Sequence, residues 1–208
     1  MIDVEATRLK TTGDDVRLQV DAWFDTHLSV LKEIAGSPEA QSFNRASLYL
    51  RFLDLVSASS DYDSIHLVYA SGEGFFGLEV PLLTGSPRAA QGVNFAGEPW
   101  FERAIAGDDA LSEPMSAVTS LNGDTKHYLY MATPVWEGGR VVGAVVASLW
   151  LDQVFRRVAE VAASQDREAY LIDGAGYPLT PAPSLAAATL PLSTRAAQAV
   201  VAGESGVG

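Results

Sequence analysis

The chain of 208 residues is 48% hydrophobic and 19% charged, which suits one large globular domain or two small ones with a sizeable core. Fourteen Lys and Arg against 26 Asp and Glu leave a net charge of -12, a surface that repels phosphate backbones and anionic lipid and so argues against a nucleic-acid binder. The absence of Cys excludes disulfides, thiolate zinc sites, iron–sulfur clusters and cysteine nucleophiles together.

Met1-Ile2-Asp3-Val4-Glu5 lacks the basic and apolar regions of a signal peptide. From Ala6 to about Ala35, residues Leu9, Val16, Val20, Trp23, Phe24, His27, Leu31 and Ile34 recur at helical spacings, predicting one long amphipathic helix that Gly36-Ser37-Pro38 ends. A second helix is expected from Asn44 or Ala46 to Ser57, with Leu48, Phe52, Leu55 and Val56 as its stripe. The period then changes. Ser64 to Ala70 and Phe75 to Val80 read as a hairpin around Ser71-Gly72-Glu73-Gly74. Gly85-Ser86-Pro87 opens a polar loop, and Glu98 to Ile105 reads as a short helix with Pro99 in its first turn. His127 to Val135 is a strand, and Glu137-Gly138-Gly139-Arg140 turns it into Val141 to Trp150, the most apolar strand. The apolar stretch Val141 to Leu151 is about half the length a membrane-spanning helix needs.

Leu151 to about Ser164 returns to helical spacing. Ala169 to Asp173, the turn Gly174-Ala175-Gly176 and Tyr177 to Leu179 then echo Ile65 to Phe76 in form. Pro178 to Pro191 reads as a loop and Arg195 to Ala202 as a short helix. The turn-like run Gly203 to Gly208 has no capping element after it, so the expectation is a piece cut from a longer chain.

Catalytic constellations are missing from the sequence. His27, His66 and His127 fall at no metal-ligand spacing, and His-Glu-x-x-His is absent. His27 shares a helix stripe with Trp23 and Leu31 and reads as a packed residue; His66 alternates with Ile65 and Leu67 and is expected on the solvated or pocket face of its strand. There is no Gly-x-Ser-x-Gly elbow, no dinucleotide fingerprint after Gly72-Glu73-Gly74 and no Walker lysine. Asp14-Asp15 and Asp108-Asp109 are sequence neighbours rather than a dyad. The expectation is therefore no catalytic residue, no metal and no cofactor.

What remains is a concentration of aromatics between positions 75 and 136: Phe75, Phe76, Trp100, Phe101, Tyr128, Tyr130, Met131 and Trp136. Small-molecule pockets are largely apolar and aromatic with a few placed polar groups. Glu79, Arg88, Glu98, Glu113, Lys126, His127 and Ser148 are the candidates for those groups. The competing reading makes the same aromatics the core of a five-stranded sheet, with Met131 on that side.

The order of elements resembles the double-Cache sensor domain, a PAS-like module on the outer face of bacterial and archaeal membrane receptors. Asp63 to Gly74 resembles the family's first strand and its Gly turn, and Phe95-Ala96-Gly97-Glu98-Pro99-Trp100-Phe101 resembles its pocket-lining Arg-Pro-Trp-Tyr segment. Ser112-Glu113-Pro114 is similar to its Ser-x-Pro step, and Ala132 to Val135 and Gly143 to Leu151 are similar to the last two strands of the distal module. The likeness spans roughly residues 5 to 180.

The resemblance implies a mixed α/β (α+β) fold: a long N-terminal helix, a PAS-like antiparallel sheet module and a smaller, incomplete second module. The corresponding divisions are 1–60 for the two helices, 61–152 for the membrane-distal module and 153–208 for the membrane-proximal one. It further implies a domain on the periplasmic or extracellular side of a membrane-anchored receptor of histidine kinase, chemoreceptor or diguanylate cyclase type. Such a receptor is a homodimer through its N-terminal helix, and the domain has no catalysis of its own. The ligand would sit among Phe76, Glu98, Trp100, Phe101, Tyr128, Tyr130 and Ser148. Amino-acid receptors of the family carry an Arg two residues before the Trp and an Asp near the end of the last strand; here those positions are Glu98 and Ser148. A carboxylate would lose its fork and meet a like charge, so a cationic or neutral small molecule is expected rather than an α-amino acid. The alternatives are a non-binding dimerisation module of the same receptor class and a small cytoplasmic enzyme.

Overall fold

The computed structural model describes residues 2–81, 85–90, 92–118, 125–164 and 171. They contain helix α1 (Ile2–Ala35), a single turn α2 (Pro38–Gln41), α3 (Arg45–Ala58), strands β1 (Tyr62–Tyr69), β2 (Gly74–Glu79) and β3 (Arg88–Ala89), and helix α4 (Pro99–Ile105). Strands β4 (Ala110–Leu111), β5 (Met115–Val118), β6 (Thr125–Glu137) and β7 (Arg140–Trp150) follow, then α5 (Asp152–Ser164). Two compact units divide these residues at Phe24/Asp25 and Leu151/Asp152, so that residues 25–151 hold the whole sheet with α2, α3 and α4.

The local signals act where they were read. After α1 the Gly36 amide bonds back to the Lys32 carbonyl, and Ser37 starts α2 by accepting from the Ala40 amide, with Pro38 as the first helical residue. Asn44 caps α3 by accepting from the Ser47 amide, and Leu48, Phe52 and Val56 form its buried stripe. Gly138 and Gly139, at φ 56° and 81°, make the tight turn of the β6–β7 hairpin, a conformation that favours residues without a Cβ. In the second unit, Val154, Phe155, Val158 and Ala162 of α5 are buried along one face.

The sheet is antiparallel and seven-stranded, in the order β3-β2-β1-β7-β6-β4, with β5 also on β6. The sequence pattern predicts four of these, β1, β2, β6 and β7, and the five-stranded sheet of the competing reading is also too small. The additional strands have two to four residues, too short to carry a period, and pairing alone defines them. Strand register assigns the faces. Ser64, His66 and Val68 of β1 lie level with Ser148, Val146 and Ala144 of β7, which lie level with Tyr130, Ala132 and Pro134 of β6. These share one face, and α4 covers it with Phe101 and Ala104. Ile65, Leu67, Val145, Ala147, Leu149 and Met131 face the other way, the side on which α3 packs. The expected second strand–turn–strand at 169–179, the loop 178–191 and the helix 195–202 lie outside the described residues, Leu171 excepted.

Candidate functional site

The α4 face of the sheet carries an aromatic box. Glu98 and Pro99 start α4, which sets Trp100 and Phe101 in its first turn, both buried, beside Phe95 from the preceding loop. Trp100 stacks on Tyr130, with centroids 5.1 Å apart and planes at 16°. Phe95 meets both rings edge-on at 5.0 Å. Tyr128 continues the row from Tyr130 (5.8 Å) to Trp150 (5.7 Å), over which the Lys126 ammonium sits at 5.3 Å. Period-2 alternation along β6 is what brings Lys126, Tyr128 and Tyr130 to one side.

Polar groups meet this box at the start of β1. Tyr62 pairs with Leu149 and Ser64 with Ser148, so Asp63 is the extra residue of a β-bulge. A bulge releases its side chain from strict alternation, and the Asp63 carboxyl comes beside Ser148. Burial raises the pKa of Asp63, Glu79 raises it further, and the nearby Ser148 hydroxyl lowers it. That approach falls outside hydrogen-bond geometry: Ser148 Oγ is fully buried and without a partner. A buried hydroxyl left unpaired costs about 1–3 kcal/mol, which a bound polar group would recover. The Tyr130 hydroxyl is pushed up to about 12 by burial and then by Tyr128, Asp63 and Glu98, which locates both carboxylates around it. The field there favours a positive charge.

His66 stands on the same face, 4% exposed, and burial lowers its pKa to about 4, so at neutral pH the imidazole is uncharged. Its ring lies against Gly77, where a Cβ would come 2.1 Å from Nδ1; only glycine leaves that slot. Phe95 meets the imidazole edge-on at 6.1 Å. The expectation is a solvated or pocket face; His66 lies buried on the α4 face, so the solvated position is excluded.

Of the residues singled out from sequence, Trp100, Tyr128, Tyr130 and Ser148 stand together on this face, with Glu98 exposed at its rim. Phe101 is fully buried beneath α4, packed with Ala104 and Ala132. Phe76 is not among them. It occupies the opposite face, stacked on Phe52 of α3 (5.8 Å, 9°) with the Arg45 guanidinium over its ring. Met131 is core on that same side. Sequence reasoning passed over Asp63, because a bulge exists only relative to a partner strand; the one local signal is a carboxylate between the buried Tyr62 and Ser64.

Ser116 and His127, cross-strand partners on β5 and β6, are joined Oγ to Nδ1 at 3.0 Å at the sheet margin, away from the box. Among the described residues no group of three or more His, Asp or Glu is placed to hold a metal, and no helix is long and apolar enough to cross a membrane.

No family model matches the chain, and no curated protein does. Solved structures do. The extracellular domain assigned to the histidine kinase mmHK1S-Z2 superposes with a TM-score of 0.70 at 14% identity, over 99% of this chain and 86% of that one. The domain of a protein assigned to the sensory box/GGDEF family from Vibrio parahaemolyticus gives 0.64 at 12%, over 95% and 82%. The ligand-binding domain of the amino-acid chemoreceptor PctC of Pseudomonas aeruginosa PAO1, solved with GABA, gives 0.63 at 18%, over 92% and 80%. The fold is that of a Cache-like sensor domain. In this Cache fold the long helix precedes an antiparallel sheet, as the order of sequence elements implied.

Proposed function

We propose that this chain is the extracytoplasmic sensor domain of a membrane-anchored receptor and binds a small cationic or neutral molecule on the α4 face of the 25–151 unit. The observation that carries the reading is the orphaned Ser148 hydroxyl beside Asp63, under the stacked Trp100 and Tyr130. Asp63 and Glu98 supply negative charge at the Tyr130 hydroxyl, and the indole and phenol faces supply cation–π attraction. An ammonium there would donate to Asp63 and Ser148 while leaving no buried acceptor unpaired. A free carboxylate would meet two like charges and no bidentate partner. The structural neighbours are sensor domains of receptors rather than catalytic domains, which supports a role without catalysis.

In this reading the ligand selects one closure of the segment from Phe95 to α4 over the sheet, and the long helix α1 carries the bias toward a membrane anchor and a dimer partner. Output through a histidine kinase, a chemotaxis protein or a cyclase suits the same device. A non-binding module is the competing reading, and the contact of Trp100 on Tyr130 favours it by filling the box with the protein's own rings.

A thermal-shift and calorimetry panel of amines, guanidines, amino acids, carboxylates and neutral polar metabolites separates the two. An amine or guanidine that stabilises the chain, and loses that effect in Trp100→Ala and Asp63→Asn, is the expected result. Binding confined to carboxylates would overturn the charge assignment. No binder in any class would favour the self-filled module.

A further inference from the structure

A cleft of about 320 Å³ opens away from the α4 face in the 25–151 unit, between the last turn of α1, α2, the loop after α4 and the end of β6. Its volume lies at the small end of the range for ligand pockets, about 300–1,000 Å³, so it admits a single ring. Three features define what that ring must be.

The first is Trp136, 45% exposed although it is an indole on a β-hairpin. It stands at the end of β6, opposite a bulge at Val142 of β7, and its six-membered ring lies on Gly107. A Cβ at Gly107 would come 3.0 Å from Trp136 Cζ2, and the φ of 112° there suits glycine alone, so the loop is shaped to the ring. The second feature is a fixed, neutral donor–acceptor pair. Lys32 Nζ lies 2.6 Å from Asp109 Oδ2, while Asp109 Oδ1 accepts from the buried Thr133 hydroxyl at 2.7 Å. The carboxylate is thereby oriented, and its charge is matched within the cleft. The third is Gln41 on α2, whose amide nitrogen makes one long bond, 3.5 Å, to the Gly36 carbonyl. Gln41 lines the cleft, and its amide can both donate and accept.

We propose that this cleft is a binding site for a neutral, hydroxylated ring, of the monosaccharide or cyclitol class. Each hydroxyl both donates and accepts, which matches an ammonium and a carboxylate held side by side, with the Gln41 amide adding one further partner. The C–H face of such a ring covers the exposed indole. An anion would meet Asp109 and a cation would meet Lys32, so the paired walls reject net charge of either sign. The site is independent of the one under α4 and shares no residue with it.

Saturation-transfer NMR on the 208-residue chain tests this with D-glucose, D-galactose, D-ribose and myo-inositol, and with D-glucuronate and D-glucosamine as charged counterparts. At least one neutral member is expected to bind with a dissociation constant in the millimolar range or better, and Trp136→Ala is expected to weaken it by about tenfold or more. Gln41→Ala, at a half-buried position on a single helical turn, weakens it severalfold without touching the core, which guards against misfolding of the Trp136 variant. Trp100→Ala leaves it unchanged, so the fate of the α4-face site is read separately. No neutral member binding up to about 10 mM, tighter binding of either charged counterpart, or binding that survives both Trp136→Ala and Gln41→Ala would each overturn the proposal.

Discussion

Two titratable residues of the α4 face, the buried His66 and the half-buried Asp63, respond to pH in opposite senses. The folded pKa of His66 is about 4 against an ordinary 6.5, so the fold disfavours its protonation. Its contribution to stability is complete above pH 6.5 and is lost as pH falls from 6.5 toward 4, a loss on the order of 3 kcal/mol. Urea unfolding followed across that window is expected to show the decline in the parent and a flatter curve in His66→Gln; equal slopes would refute the assignment. Asp63 has a folded pKa raised above 3.8, so the fold favours its protonated form and gains stability as pH falls through that raised value. Asp63→Asn is therefore expected to raise the melting temperature of the ligand-free chain while abolishing binding of an amine. The affinity of that amine should fall with pH through the raised pKa of free Asp63, since a cation binds the ionised form; calorimetry at several pH values reads both effects. Placement on an element was legible from sequence for Trp100, Tyr130 and Ser148, whose helix and strands were correctly drawn. The direction of Asp63 was not legible, because it comes from a mismatch between two strands some 85 positions apart.

At the scale of elements, the ends of helices and the tight turn follow from local chemistry. Ser37, Pro38 and Asn44 satisfy orphan amides or tolerate a missing one, and Gly138-Gly139 accept positive φ, so these boundaries were readable without the fold. The short strands β3, β4 and β5 were not, since two to four residues carry no period. The side taken by Phe76 was likewise hidden. Phe76 takes the α3 side through its pairing with Leu67, while Phe75, the residue skipped by the register shift between Leu67 and Val68, packs on Phe43 and Tyr69. Phe52, fully buried against Phe76, is expected to cost about 3–5 kcal/mol as Phe52→Ala, read by chemical denaturation. Helix α1 is tied to β1 by a buried cluster: His27 Nδ1 lies 2.8 Å from the Tyr62 hydroxyl and Nε2 lies 3.2 Å from Asp61. Tyr62→Phe removes one bond there and is expected to cost about 1–2 kcal/mol. An unchanged midpoint would show that the cluster adds nothing to the docking of residues 25–35 of α1.

For the whole molecule, a net charge of -12 sets the long-range field. An amine bound on the α4 face should lose affinity as salt is raised through the range where the Debye length shortens, whereas a neutral ring at Trp136 should not. Titrations at low and high ionic strength check this, and equal salt dependence would contradict the charge assigned to one of the two sites. The sequence by itself determined the class: amphipathic helices before a period-2 region, a two-glycine hairpin, no thiol chemistry and an acidic surface all follow from composition and spacing. These are properties of one segment at a time. Tertiary structure alone decided which aromatics share a face, that a bulge turns Asp63 toward Ser148, and that Gly107 and Trp136 make one wall. Each of those depends on register between strands or on the close approach of distant loops, and a slip of one residue in pairing would invert it.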